Sequence, residues 1–391
     1  MFNNKGMLLC SCVWVMSGYC SNDGVGTTTP NDPNAALSLT ATQQPDYARL
    51  REYAFLHDYM IISTVNDLKG ILRDDSKIKR AYICNDVPLS NSYTGGGWRN
   101  RNKIEYIVIE DGQNRSNIPY SFFSNCRELK DVVLPDCIEK IGSFAFRGCT
   151  SLGTTELPKN LISIGSFAFS DCAAFNVEAL PDGLTEIEEA TFSGCTSLNI
   201  KKFPAYLTSI EKWGFNRCKS LAPDALPDCI CYIGPFAFDS CTSLDIKTLP
   251  ASLGYIGRGS FLDCTSLAIE TLPDGLFFIA KQAFEGCSAL TKLKVPSSVE
   301  TIQHRSFMKS GLTMLDLSEC NNLYVYDDYG NPYWYDAVFM IDCLFGLYYW
   351  HGDIQQQRRD NIRDNCEVRM PNGLGTWRFS SLDGEWHVPE L

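Results

Sequence analysis

Thiols are plentiful in this chain of 391 residues, with eighteen cysteines against four histidines. A thiolate can attack a carbonyl, close a disulfide or hold a soft metal, and each task needs its own spacing and neighbours. Eight of them, Cys126, Cys149, Cys172, Cys195, Cys218, Cys241, Cys264 and Cys287, stand 23 residues apart without an insertion. One cysteine per repeat at the same place behaves as a small apolar plug, so buried free thiols are expected. Bridges between neighbours are conceivable at this spacing but would disturb a regular stack. Cys229-x-Cys231 has no matching pair and no histidine in frame, so no metal site is read there. Cys320, Cys343 and Cys366 repeat the interval out of frame, which reads as coincidence; one disulfide in that terminal segment stays open. His57, His304, His351 and His387 lack ligand spacing and any nucleophile motif. No phosphate-cradling G-x-x-x-x-G-K loop occurs, and no carboxylate pair stands out for acid–base work. The expectation is a protein that is not an enzyme, with no metal and no cofactor.

Two other sets of side chains could make contacts with a partner. Glu178, Lys201, Asp224, Lys247 and Glu270 recur in frame with strictly alternating sign. Stacked coils would set each opposite an unlike charge. Such a ladder either pins coil register or forms a charged ligand surface; exposed pairs add little stability, so register is the favoured reading. The second set is the aromatic run that includes Tyr333, Trp334, Tyr348, Tyr349 and Trp350. It reads as the rings of a cap over the last coil or as a recognition surface, because Tyr and Trp dominate hot spots and stack on sugars. Asp327, Asp328 and Asp336 could add polar contacts there.

The positioning elements follow from the period itself. Phenylalanine precedes each ladder cysteine by three positions, from Phe123 to Phe284, and Phe307 adds a ninth ring. Prolines from Pro135 to Pro296 and isoleucines from Ile141 to Ile302 keep the same frame. A fixed period of this length marks a solenoid, whose coils bury their apolar side only against one another. Proline cannot donate to a sheet ladder, so each Leu-Pro pair is expected to end a strand and begin a turn. With stacked strands about 4.8 Å apart, some nine coils would form a rod roughly 45 Å long. The coils run over 104–317. Residues 45–103 read as an N-terminal cap, with a helix over 46–60, a short helix over 66–72 and a strand at 78–83, and a strand at 104–109 opens the coils. Residues 318–391 read as an aromatic-rich C-terminal cap or small β-rich domain with a helix near 354–364. In four of the five charge-bearing coils the apolar position moves one residue earlier, to Val177, Ile200, Ile246 and Ile269, which predicts a bulge or shifted strand.

The repeat resembles the BspA-like class of bacterial leucine-rich repeats. Gly142-Ser143-Phe144-Ala145-Phe146-Arg147-Gly148-Cys149 and Gly165-Ser166-Phe167-Ala168-Phe169-Ser170-Asp171-Cys172 carry that resemblance. It implies an α/β, β-dominated leucine-rich-repeat solenoid with a concave parallel sheet. It also implies a secreted or surface protein with a role in adhesion or protein recognition.

The first twenty residues fit an export signal: Lys5, then an apolar run over 7–16 that is too short to span a bilayer. The segment resembles a bacterial lipoprotein signal, which would leave lipidated Cys20 at the mature terminus, although Tyr19 stands where a small residue is usual. Ordinary secretion is the alternative. Residues 21–44 are small, polar and proline-punctuated, as a flexible tether would be. A net charge of −12 argues against nucleic acid and offers nothing to anionic lipid, so a membrane would be met only through a lipid anchor. The expected partner is a macromolecule at the bacterial surface or outer membrane, a host or matrix protein or glycoprotein. A glycan-binding role in nutrient capture is the alternative, and a hydrolase concealed in 318–391 the third reading.

Overall fold

A computed structural model describes residues 59–64, 66–68, 78–90, 103–112, 116–154, 156–327, 330, 332–333, 337–346, 354–362, 365–371 and 374–388. The leader, Cys20, the tether and most of the helix expected over 46–60 lie outside these residues; Met60, its last residue, opens a strand instead.

The chain is a parallel β-solenoid of about ten turns. At its N-terminal side Met60–Ile62, Arg80–Ile83, Tyr106–Ile109 and Asp131–Val133 pair in parallel. Asn117–Ile118, Lys140–Ile141 and Ser163–Ile164 form a second parallel set on the other side of each coil. Glu186–Ile187, Ser209–Ile210, Tyr232–Ile233, Tyr255–Ile256, Phe278–Ile279, Thr301–Gln303 and Tyr324–Tyr326 form a longer one, closed by antiparallel Pro332–Tyr333. Every parallel step in both sets is in register on isoleucine or valine, whose branched side chains pack well on a pleated surface. Toward the C-terminus Lys292–Lys294, Met314–Asp316 and Glu367–Arg369 pair in parallel, followed by antiparallel Thr376–Ser380 and Glu385–His387.

One expectation is corrected here. A regular strand precedes the proline only toward the ends of the array, before Leu134-Pro135 and Val295-Pro296; the long sheet follows the proline instead. In the middle coils the segment before Leu-Pro keeps isolated bridges, Ala179 to Lys202 and Thr271 to Lys294. The cause is the one-residue shift in the apolar pattern. Val177 and Leu180 both point inward, so two outward residues, Glu178 and Ala179, separate them. A strand alternates strictly, and that spacing breaks the alternation.

Inside the coils the phenylalanine ladder is continuous. Phe146, Phe169, Phe192, Phe215, Phe238 and Phe261 stack at centroid spacings of 5.2, 5.7, 5.4, 5.7 and 5.5 Å, with planes within 9°. The rings are buried to within 1% exposure. Beside them each ladder thiol from Cys149 to Cys287 donates to the phenylalanine carbonyl of the preceding coil: Cys172 Sγ to Phe146 O at 3.0 Å, Cys195 to Phe169 O at 3.1 Å, Cys241 to Phe215 O at 3.0 Å. The fifteen described cysteines are free thiols. Burial pushes every ladder thiol from Cys149 to Cys287 above its ordinary range, and Cys320 up to about 12.

The turn carrying these residues is built on two left-handed positions per coil. One is the row of Phe144, Phe167, Ala190, Trp213 and Phe236; the other precedes each cysteine, as in Asp171, Gly194, Asp263 and Gly286. In that second row a carboxylate lies over the next coil's glycine. A Cβ on Gly194 would sit 2.8 Å from Asp171 Oδ1, and one on Gly286 only 2.1 Å from Asp263 Oδ1. A side chain at either glycine would force the aspartate to turn aside and would be held at positive φ, +79° at Gly194 and +75° at Gly286.

Beyond the array, α1 (Ala337–Leu344) and α2 (Ile354–Asn361) are joined by a buried ion pair. Arg358 Nη2 stands 2.6 Å from Asp342 Oδ2, Arg358 Nε donates to Asp342 Oδ1 at 3.0 Å, and Trp386 Nε1 donates to the same oxygen at 3.1 Å. The pair is fully hydrogen-bonded, as buried charges must be.

Two expected outcomes follow from the core. Phe238→Ala removes a ring stacked on both sides and should lower unfolding free energy by about 3–5 kcal/mol. Phe307→Ala, whose ring stacks on Phe284 but on no second ring among the described residues, should cost less; urea titration of both variants would show equal losses if stacking did not matter. The thiols set a pH limit. Because their folded pKa lies above the unfolded one, the native state binds the extra protons, so stability is full below about pH 8.5 and falls above it. Each of the seven raised ladder thiols contributes a slope of about 1.4 kcal/mol per pH unit. Chemical denaturation between neutral and strongly alkaline pH should show a steep decline that a Cys218→Ala variant makes shallower; a flat profile contradicts the buried thiol ladder.

Candidate functional site

Two outward surfaces concentrate side chains able to hold a partner. The first lies on the long sheet that follows the proline. Its inward isoleucines force the preceding residue outward, which gives the row Glu186, Ser209, Tyr232, Tyr255, Phe278, Thr301 and Tyr324. Three consecutive members are aromatic and stack, Tyr232 on Tyr255 at 5.5 Å and 12°, Tyr255 on Phe278 at 5.2 Å and 13°. Burial raises the phenol pKa of both tyrosines, with Glu211 adding to the effect at Tyr232. Two residues further along each coil stand Gly234, Gly257 and Ala280, too small to screen the rings. Phe277 is 52% exposed at the same edge and covers Gly254, whose Cβ would lie 3.0 Å from the ring.

The left-handed turn adds a second aromatic row. Phe144 and Phe167 stack at 5.0 Å and 3°, and Trp213 and Phe236 at 6.5 Å. Bulky residues rarely adopt positive φ, and where they do the surrounding hydrogen bonds impose it. Here Phe144 N–H donates to Ser166 O at 3.0 Å and Phe236 N–H to Arg258 O at 2.8 Å, so the coil stack holds the turn. Cations sit on the rings: Lys212 Nζ 3.7 Å from the Trp213 centroid, the Arg258 guanidinium 5.6 Å from Phe236, Arg147 5.6 Å from Phe144.

The second surface is the expected charge ladder. Glu178, Lys201, Asp224, Lys247 and Glu270 are all exposed, one per coil. Backbone bonds hold them in step, Lys201 N–H to Glu178 O at 2.9 Å and Asp224 N–H to Lys201 O at 3.2 Å. Among the described residues no ion pair joins one of these five to the next. Lys247 pairs with Asp245 of its own coil, and Lys201 Nζ lies 3.4 Å from Ala222 O. The ladder also continues where the sequence hides it. Lys294 N–H donates to Glu270 O at 2.8 Å; Lys294 is in register with Asp316, and Asp316 with Arg369. Arg369 Nη1 stands 3.6 Å from Asp316 Oδ2, and Lys294 Nζ 2.7 Å from Glu319 Oε1.

Of the aromatic candidates toward the C-terminus, Tyr333 lies in the strand Pro332–Tyr333; Trp334, Tyr348, Tyr349 and Trp350 fall outside the described residues. Cys229 and Cys231 are both exposed, flanking buried Ile230. A groove of about 470 Å³ beside the Lys294–Glu319 pair runs over Leu272, Pro273 and Pro296, and another of about 190 Å³ lies by Lys281, Gln303 and Asp327. Among the described residues no group of three or more His, Cys, Asp or Glu side chains could hold a metal ion. No described helix is long and apolar enough to cross a membrane.

No curated protein sequence matches the chain. Among solved structures, a leucine-rich repeat protein from Bacteroides ovatus is 26% identical, covers 64% of this chain and 72% of its own, and superposes with a TM-score of 0.42. A leucine rich cell surface protein from Faecalibacterium prausnitzii is 22% identical over 62% of this chain and 82% of its own, at a TM-score of 0.32. The pneumococcal vaccine antigen PcpA is 19% identical over 56% and 73%, at 0.38. The family model of the BspA type leucine rich repeat region matches in six copies, over residues 116–223 and 215–328. With more than half its length matched, and with the stacked rings and thiols lying inside that span, this chain belongs to the BspA type leucine rich repeat family.

Proposed function

We propose that this protein is a non-catalytic, adhesin-like binding protein of the bacterial surface that grips a protein or matrix glycoprotein with the outward aromatic face of its long sheet. The observation that carries this reading is the conjunction of Tyr232, Tyr255 and Phe278 with Trp213 and Phe236 on neighbouring coils. Rings half-sunk in a rigid frame lose little entropy on binding, and Tyr, Trp and Arg are the residues that carry most interface energy. Lys212 and Arg258, laid across the rings, supply charge at the same place. Stacking turns the ring faces toward one another along the array, so the row presents edges and phenol hydroxyls to solvent. That geometry suits a polypeptide chain better than a sugar ring, which needs a free aromatic face. The side chains of Tyr333, Trp334, Tyr348, Tyr349 and Trp350, which suggested glycan binding, lie outside the described ones. Attachment through lipidated Cys20 completes the proposal.

Binding of the full chain to immobilised extracellular-matrix glycoproteins, before and after enzymatic removal of their glycans, tests the reading. Trp213→Ala and Tyr255→Ala should each weaken capture by roughly tenfold or more, with the unfolding curve little changed. Capture that survives both substitutions, or that disappears when only glycans are removed, would sink it. Separately, Cys20→Ala should move the protein from the membrane fraction of expressing cells into the soluble fraction; an unchanged distribution rules out the anchor.

A further inference from the structure

The charge ladder is longer than its in-frame members, and its length gives it a symmetry. In stacking order the outward charges are Glu178, Lys201, Asp224, Lys247, Glu270, Lys294, Asp316 and Arg369. The sign alternates at every step, although the line shifts sideways by one residue at Lys294, whose backbone partner is Thr271. Five rungs beginning and ending on glutamate would oppose like charges when turned end for end. Eight rungs, beginning negative and ending positive, do the reverse. Laid antiparallel on a copy of itself, Glu178 meets Arg369, Lys201 meets Asp316, Asp224 meets Lys294 and Lys247 meets Glu270, with every contact made twice.

The neighbouring rows allow such an approach. Ala179, Ala225, Thr248 and Thr271 flank the ladder on one side and Ala222 and Ala268 on the other, with Lys202, Asp245 and Lys292 as exposed charges in the same rows. At the rungs of Asp224 and Glu270 the flanking side chains are small, so these charges project. Glu178 and Asp224 have no ion-pair partner among the described residues, so their charge is available. We propose that this face is a self-recognition surface on which two copies of the chain pair antiparallel about a two-fold axis between the Lys247 and Glu270 rungs. The occupant is a second copy because rung spacing on both sides is set by the same coil rise, about 4.8 Å. A closed two-fold contact also uses the same patch on both partners, so pairing ends at the dimer. Complementary patterns of this kind select partner and register more than they add affinity. The contact is therefore a weak, salt-sensitive one, and it is separate from the aromatic face, so either proposal can fail alone.

Sedimentation equilibrium of the full chain should show a monomer–dimer equilibrium that weakens about tenfold between roughly 0.05 and 0.5 M salt. Asp224→Lys and Lys294→Glu, each alone, should weaken self-association by roughly tenfold or more, since each reversal spoils two symmetric contacts. Mixing the two variants should restore a heterodimer, because the reversed charges then face one another. Mixing Asp224→Lys with Lys247→Glu should not. Within one chain, Lys247→Glu should dissociate the dimer and the added Glu270→Lys should bring it back. A chain that stays monomeric at low salt, a dimer indifferent to these reversals, or rescue by Lys247→Glu in place of Lys294→Glu would overturn the proposal.

Discussion

The carbonyl oxygen of a ladder phenylalanine accepts two hydrogens, one from the backbone N–H of the cysteine three residues on and one from the thiol of the cysteine in the next coil. Phe169 O does so with Cys172 N at 3.1 Å and Cys195 Sγ at 3.1 Å. A buried carbonyl left half-satisfied in every coil would be a repeated cost. Alanine would fill much the same volume with no donor, while serine would bring a more polar group into a dry core. Cysteine is the small apolar side chain that still offers a hydrogen. Its position fixes where the phenylalanine of the same coil must lie, and the rings then stack at spacings the strands also require. The period of 23 residues is the chain length that lets this contact recur.

Stacking of identical turns explains why the interior was so legible in the sequence. Phe, Cys and Ile positions face the same surroundings in each coil, so the same residue is kept and the period is visible. The free thiols, the buried rings and the solenoid were all readable on that basis. The location of the long sheet was less so. Proline suggested a strand end on its N-terminal side, but the Val177-to-Leu180 spacing places two outward residues in succession, and the regular pairing passes to Ser209–Ile210 and its neighbours. The two left-handed rows were hidden because their residues range from Gly259 to Trp213, and only the backbone is shared.

The surfaces were legible in part for the opposite reason. Outward positions are free to vary, so aromatic residues at Tyr232, Tyr255 and Phe278 do not register as a repeat; they matter only because three neighbouring coils agree. The charge ladder announced its first five members by frame. Its last three were concealed by a one-residue lateral step at Lys294 and by the long excursion that separates Asp316 from Arg369. An ordered stack brings together residues whose sequence separation carries no warning.

The aspartate-over-glycine contacts and the alternating charges share a property that the single coil lacks. Asp171 faces glycine at 194 and Asp263 faces it at 286, while a negative outward residue is followed by a positive one. Loss of one middle coil would bring like outward charges together, as with Glu178 beside Asp224, whereas loss of two would keep the sign order. The charge pattern of the array therefore repeats by pairs of turns, although each turn is built alike.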